Sequence, residues 1–358
     1  MKIIMGLNAP WIGGMRTHVM SLAQALIKRG HSLILVTDPG VLEDELIARG
    51  IPYVVRRKTT GQMVRMLAEL VESERPDLIH AHPADFIFEG FLVSQLIGVP
   101  FMVTMHGEYI MHFTRDPLGC RIGSVVSKVI AVSEQIKAYL ERHSVLEGER
   151  IAVIANGIDF GEFTPRPNPA ELRSRFGIGQ DEIVIMYLGR LDSDKAQAIT
   201  VTVGVVDLLY KFGEAVKGVL VGQGDQLDFL AGRKNLVLTG FRRNIPELLS
   251  MADVVVATGR SVLEALACGK PVIAIGRAGL HGLITVDNWE QAVKTNFGDH
   301  GCLRQPDLSL VLAYVKMGLA MSEEERLKLR QLTQGRFDLL KVVSELEQVY
   351  AMVAGMTR

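Results

Sequence analysis

Short apolar runs alternate with stretches of helical periodicity along most of the chain. Runs at residues 2–6, 32–37, 53–55, 78–81, 101–105, 129–132 and 151–154 predict strands. Between them, residues 15–29, 62–74, 86–97 and 134–142 carry apolar positions at helical spacing. Strands separated by helices predict parallel pairing through helical crossovers, a doubly wound sheet. The pattern pauses at residues 156–169, NGIDFGEFTPRPNP, where glycines and three prolines mark turns and a linker. It restarts with strands at residues 183–189, 218–221, 236–238, 254–257 and 272–275, and from about residue 323 the chain is helical in pattern. Two α/β units in succession predict two Rossmann-like domains facing a cleft. Ligands of open α/β sheets bind outside the carboxyl ends of the strands, so the loops there carry the candidate chemistry.

One such loop organises the second half. In the stretch 251–274, MADVVVATGRSVLEALACGKPVIA, a buried strand gives way to the turn Thr258–Gly259–Arg260 and a short helix opening at Ser261. A glycine turn before a helix N-terminus suits an anion, because free N–H groups and the helix dipole point at it. Glu264 has two readings. Ser261-x-x-Glu264 is a capping box, in which the carboxylate reaches back to the Ser261 N–H. The same carboxylate could accept hydrogen bonds from a sugar diol.

Gly189 to Lys195, GRLDSDK, follows another apolar strand and places Arg190 and Lys195 in one strand-to-helix loop. An arginine fork with a lysine point charge suits a diphosphate, although both could be solvated. Asp192–Ser193–Asp194 is a DxD string of the kind that holds Mg²⁺. The flanking cations make a metal redundant, so none is expected. Gly13–Gly14 sits between a strand and a helix, where a backbone without Cβ could approach phosphate or simply form a βα turn. His80 and His82 suggest burial or hydrogen bonding before a metal pair, since no third ligand is nearby. His106 is polar, precedes Gly107, and ends its strand on the ligand side. No Ser-His-Asp set or glycosidase-type carboxylate pair is identifiable.

Composition narrows the class. The 358 residues are 48% hydrophobic and 22% charged, enough for two globular domains. Lys plus Arg (39) against Asp plus Glu (40) gives a net charge of −1, which argues against nucleic acid as a partner. Cys120, Cys268 and Cys302 form no disulfide framework. With no signal-peptide pattern and no apolar run of the ~20 residues that span a bilayer, the expected location is cytoplasmic. The cluster Arg56–Arg57–Lys58 reads as solvated, with contact to an anionic membrane or substrate as the alternative.

Many short strings in register resemble one family. They include Gly13–Gly14, Pro76–Asp77–Leu78–Ile79–His80–Ala81–His82, Thr104–Met105–His106, Asn156–Gly157–Ile158–Asp159 and Gly189–Arg190–Leu191 with Lys195. Val221–Gly222–Gln223–Gly224, Leu263–Glu264–Ala265 and Cys268–Gly269–Lys270–Pro271 continue the series. The chain resembles the retaining, GT-B-fold glycosyltransferases of family 4, or glycosyl transferases group 1. The resemblance implies a donor diphosphate held by Arg190, Lys195 and the backbone at Gly13, Gly14 and Gly189, and ribose hydroxyls held by Glu264. It implies His106 beside the donor sugar, with His106, Arg190 and Lys195 as the catalytic set. It also implies a final helix crossing back to the first domain. The domains expected are thus residues 1–165 with about 335–358, and residues 166–334.

The expected reaction is metal-independent hexosyl transfer, with retention, from a nucleotide-diphospho-sugar, a UDP-sugar first, to a hydroxyl on a glycan, lipid or small molecule. No cofactor is expected beyond that co-substrate. Glycoconjugate or cell-envelope synthesis and peripheral contact with the inner face of a membrane complete the expectation. One departure stands out. The glutamate that relatives carry eight positions before the ribose-binding one is here Val256, and the loop shortens to residues 257–261. Arg260 and the N–H groups of Gly259, Ser261 and Val262 are the nearest replacements for donor binding. The absent glutamate motivates an alternative, a sugar-nucleotide-binding partner or regulatory protein with impaired catalysis.

Overall fold

The computed structural model describes residues 1–7, 13–40, 42–57, 59–82, 86–167, 169–225, 230, 232–301 and 303–355. Lys58 and Cys302 lie outside them. The chain divides into two compact units, Met1–Gly157 with Leu339–Arg358, and Ile158–Asp338.

In the first unit, β1 (Lys2–Leu7), β2 (Ser32–Thr37), β3 (Tyr53–Val55), β4 (Leu78–His82), β5 (Phe101–Met105), β6 (Lys128–Ala131) and β7 (Ile151–Val153) form one sheet. Its order is β3-β2-β1-β4-β5-β6-β7, parallel throughout. The central strands are buried on both faces, which is why they read as continuous apolar runs rather than alternating ones. Strand order reverses between β1 and β4, the switch point at which such sheets bind ligands.

The second unit repeats the plan. β8 (Ile183–Leu188), β9 (Val216–Val221), β10 (Leu236–Gly240), β11 (Val254–Ala257), β12 (Val272–Gly276) and β13 (Gly279–Leu283) pair in the order β10-β9-β8-β11-β12-β13. The switch point lies between β8 and β11. The edge strand β13 runs antiparallel to β12 and has no counterpart in the sequence pattern. Its sequence, GLHGL, carries glycines at φ +124° (Gly279, against the backbone at Leu303 and Arg304) and +110° (Gly282, against the Tyr314 ring), which weaken the strand signal. Arg173 secures the opposite end of this sheet. Its buried guanidinium donates to the carbonyls of Glu182 (2.8 Å) and Met251 (2.8 Å) and pairs with Asp253 (3.1 Å), tying the entries of β8 and β11 together.

The helical tail is broken at Asp338 into helices Glu323–Phe337 and Leu339–Gly355. The break follows from pairing of Ile158 with Asp338, where the Ile158 N–H donates to the Phe337 carbonyl (2.7 Å). The last helix belongs to the first unit. Its buried Leu339, Val342, Val343, Leu346, Tyr350 and Val353 recur at helical spacing and join the core beside Val19, Leu22 and Leu26 of helix Gly14–Lys28. Each such side chain contributes roughly 1.5–3 kcal/mol on burial. At its solvent side Glu347 accepts from Arg29 (2.7 Å) and meets His31 (2.8 Å). No helix of the described residues is long and apolar enough to cross a membrane.

Arg56 departs from the solvated reading of its cluster. Its guanidinium lies against buried Glu89 (2.6 Å) with Asp38 at 3.5 Å, while Arg57 is exposed. With Glu89 and Asp38 on its guanidinium and a side chain 15% exposed, Arg56 is not a solvated charge.

Candidate active site

The loop after β8 is built from below. Tyr187, buried on β8, donates its hydroxyl hydrogen to the Arg190 carbonyl (2.9 Å). Gly222 and Gly224, past the end of β9, support the loop from the side. A Cβ at Gly222, whose φ is +153°, would lie 1.8 Å from the Gly189 carbonyl oxygen, and one at Gly224 would lie 2.2 Å from the Leu191 carbonyl carbon. The Leu191 N–H closes the contact by donating to the Gln223 carbonyl (3.0 Å). The Gly222–Gln223–Gly224 string therefore exists so that one loop can lie against the next.

Both cations on that loop are held by carboxylates. Arg190 bridges Asp192 and Asp194, the latter at 3.0 Å, and its side chain is 41% exposed. Lys195, only 10% exposed, bonds Asp299 at 2.8 Å and has Asp194 at 3.7 Å. The DxD string thus faces Arg190 in this structure. Asp299 stands 104 positions from Lys195 and sequence reasoning missed it. Burial pushes its carboxyl upward, but Lys195 together with His300 and Arg277 brings the group below its ordinary range. Asn296, Phe297 and Gly298 deliver it through three successive left-handed residues (φ +46°, +54° and +89°). For asparagine and phenylalanine that conformation costs on the order of 1–2 kcal/mol each, so the packing of Phe297 against Trp289 and Phe337 must hold it in place.

Beside this loop, β11 ends in Thr258 and Gly259. Gly259 adopts φ +55°, ψ −128°, which a side-chain-bearing residue reaches only with strain. The helix spans Arg260–Ala267, opening one residue ahead of Ser261, and no side chain caps it. The capping-box reading of Glu264 is thereby corrected. Arg260 projects from the first turn and its Nε donates to Glu264 Oε1 at 2.9 Å, an i,i+4 pair with both partners under a tenth exposed. The i,i+4 spacing brings the guanidinium onto the carboxylate, and with both out of water each supplies the other's counter-charge. Burial raises the Glu264 carboxyl above its usual value, with Arg260 opposing the shift. Ser261 lies inside the helix, and the Val262 N–H already donates to the Gly259 carbonyl (3.1 Å). Val256 is wholly buried in β11 between Tyr187 and Ile273, a position with no room for an ionised group.

The ligand-side strand ends of the first unit have a different chemistry. Gly13 is extended and precedes the helix Gly14–Lys28; its carbonyl accepts from the Thr17 N–H (3.2 Å). Four imidazoles gather nearby. β4 continues through His82, so His80 and His82 share a face, with ring centroids 4.5 Å apart. His80 uses both nitrogens, Nδ1 with the Tyr350 hydroxyl (2.6 Å) and Nε2 with Thr104 Oγ1 (2.8 Å). His82 Nδ1 lies 3.0 Å from His106 Nε2, just past the end of β5. His18 sits edge-on to both, with centroids at 6.1 and 5.4 Å. Desolvation holds His80 at about 3 and drives His82 and His106 the same way, so all three are neutral at physiological pH. Among the described residues no group of three or more His, Cys, Asp or Glu is disposed to hold a metal ion.

Of the expected donor-binding residues, Gly189, Arg190, Lys195, Gly259, Arg260, Ser261, Val262 and Glu264 lie in the second unit, on the loops and the helix that follow the adjacent strands β8 and β11. Gly13, Gly14 and His106 belong to the first.

This arrangement has relatives. Residues 12–162 match Glycosyltransferase Family 4, and residues 182–299 match Glycosyl transferases group 1. The chain belongs to glycosyltransferase family 4. It is 28% identical over 317 residues, 75% of each chain, to the D-inositol 3-phosphate glycosyltransferase of Arthrobacter sp. strain FB24. It is 25% identical over 281 residues to the UDP-Gal:alpha-D-GlcNAc-diphosphoundecaprenol alpha-1,3-galactosyltransferase of Escherichia coli, covering 68% of this chain and 70% of that one. The crystal structure of Anabaena HepE in complex with UDP and glucose superposes with a TM-score of 0.77 at 21% identity, over 98% of this chain and 100% of that one. The fold is accordingly GT-B, and the protein is a glycosyltransferase acting on nucleotide sugars.

Proposed function

We propose that this glycosyltransferase moves a hexosyl group from a UDP-sugar to an acceptor hydroxyl with retention of anomeric configuration and without a metal ion. The observation that carries the reading is the Arg190/Lys195 pair. Two cations stand at the carboxyl end of β8, beside the switch point, each balanced by aspartates that a diphosphate can replace. Their charge then meets the negative charge that develops on the departing nucleoside diphosphate. Preorganised donors of this kind lower a barrier most when they are aimed at the developing charge. No protein nucleophile is required, and the acceptor hydroxyl attacks from the face the leaving group vacates.

Glu264 keeps one oxygen on Arg260, and a carboxylate's further lone pairs serve the ribose diol. Gly259, Arg260 and Ser261 contribute the N–H end of their helix, with Val262 completing its first turn. Gly189 lets the phosphates approach the backbone, and Gly13 and Gly14 give the first unit an equivalent surface. His106 takes the place beside the transferred sugar. A UDP-sugar is favoured because the E. coli relative is named for UDP-Gal and the HepE structure holds UDP and glucose.

The test is calorimetry with UDP and turnover with a panel of UDP-sugars, for wild type, Arg190→Ala and Lys195→Ala. Loss of one such donor is expected to lower turnover by about 10²–10³-fold. Unchanged affinity and turnover in both variants would falsify the assignment. NMR of the product anomeric centre decides retention, and turnover in excess EDTA decides metal independence.

A further inference from the structure

The histidines of the first unit carry a second conclusion. His82 is fully buried, and its Nε2 has no hydrogen-bond partner among the described residues. Its other nitrogen, Nδ1, faces His106 Nε2 at 3.0 Å. His80 cannot supply a proton to either ring, because Tyr350 and Thr104 occupy both of its nitrogens. A neutral imidazole has one N–H and one lone pair. Only two arrangements of the His82–His106 bond are then available.

If His106 donated, the His82 proton would sit on Nε2 as a buried N–H with no acceptor. If His82 donates from Nδ1, the orphan at Nε2 is only a lone pair. Buried donors without a partner are the rarer and costlier of the two. His82 therefore donates, His106 Nε2 accepts, and the single proton of His106 is confined to Nδ1.

We propose that His82 is a positioning residue that fixes the tautomer of His106, so that His106 meets the donor as a neutral Nδ1–H hydrogen-bond donor and not as a base. The partner this selects is an acceptor oxygen, a sugar hydroxyl or a phosphoryl oxygen. His106 is half-buried while His82 lies wholly inside, so the buried ring sets what the outer one presents. The inference rests on the reading of His106 as the group beside the transferred sugar, but the tautomer itself belongs to the free protein.

Selective ¹⁵N labelling of histidine, with two-bond ¹⁵N–¹H correlation spectra of the ligand-free protein, reads each ring's tautomer directly. His106→Gln identifies the His106 signals by their loss. The expected result is a protonated Nδ1 and a bare Nε2 on His106; the reverse pattern overturns the proposal. His82→Asn keeps a donor at the place of Nδ1 and should keep that pattern and the wild-type kcat. His82→Leu should mix the two tautomers and lower kcat about tenfold with KM little changed, the size of one lost hydrogen bond. A His82→Leu protein that retains the wild-type His106 spectrum also overturns it. If His82→Leu does not fold, the wild-type spectrum and the Asn variant decide alone. Should no UDP-sugar be turned over while the spectra come out as expected, the functional reading fails and the tautomer assignment stands.

Discussion

The two sheets present opposite solutions at their ligand-side strand ends. In the first unit, His80, His82 and His106 are kept neutral by desolvation and arranged through hydrogen bonds between uncharged groups. In the second, Arg190, Lys195, Asp192, Asp194 and Asp299 keep their charges and balance one another, and Arg260 and Glu264 do the same out of water. The first arrangement resists salt and is specified by which nitrogen carries a proton. The second is exchangeable where it is exposed, since an incoming anion can take the place of a carboxylate, and rigid where it is buried. Fold similarity between the units therefore says little about their chemistry. The side chains at the strand ends decide it.

The sharpest way to break the contrast is at the buried pair. Arg260→Met leaves Glu264 without its partner and should destabilise the protein by about 3–5 kcal/mol at pH 7 in urea unfolding. Burial already raises the Glu264 carboxyl, so the folded state binds its proton more tightly than the unfolded chain does. The stability attached to that proton is present at low pH and lost as pH rises through the raised value. The penalty in Arg260→Met should accordingly shrink at pH 5, and a penalty independent of pH would count against an ionised Glu264. The exposed half of the network should behave otherwise. Arg190→Ala is expected to cost about 2.7–4 kcal/mol of transition-state stabilisation while shifting the melting temperature little. A large loss of stability instead would make Arg190 a structural residue.

The neutral cluster has its own signature. The unfolded-state value of a histidine is near 6.5 and the folded value of His80 is about 3, so only the unfolded chain takes up a proton in between. Stability is full above about pH 6.5 and falls as pH drops, by roughly 1.4 kcal/mol per pH unit for each such ring. Denaturant titrations at pH 6.5 and 5.5 should show this slope reduced by about one proton in His82→Asn. The smallest expected change is in Ser261→Ala, within about 0.5 kcal/mol by thermal melting, since its hydroxyl caps nothing. A loss of 1–2 kcal/mol would restore the capping role.

Much of the fold is legible in the sequence. The apolar runs of β1 to β12 and the breaks at glycine and proline mark local conformations, and these depend on side chains within a few residues of one another. The loop holding Arg190 and Lys195 was legible for the same reason. β13 was not, because two glycines dilute its pattern. Glu264 was placed on the helix after β11, but its capping-box reading paired it with Ser261 where the structure pairs it with Arg260, since both lie within reach along the chain and only the helix start chooses between them.

What the chain determined by itself is where the strands, helices and turns fall, and which turns carry charge or glycine. The tertiary structure alone decided that Asp299 meets Lys195 across 104 positions, that Arg56 meets Glu89 across 33, and that His18, His82 and His106 from three separate elements share one cluster. The reason is physical. Periodicity is written by neighbours, whereas a buried charge or imidazole takes its partner from whichever element the sheet order and crossovers bring alongside. At the turn 258–260 the two meet: glycine in the sequence permits the sharp bend, and the fold turns Arg260 inward onto Glu264.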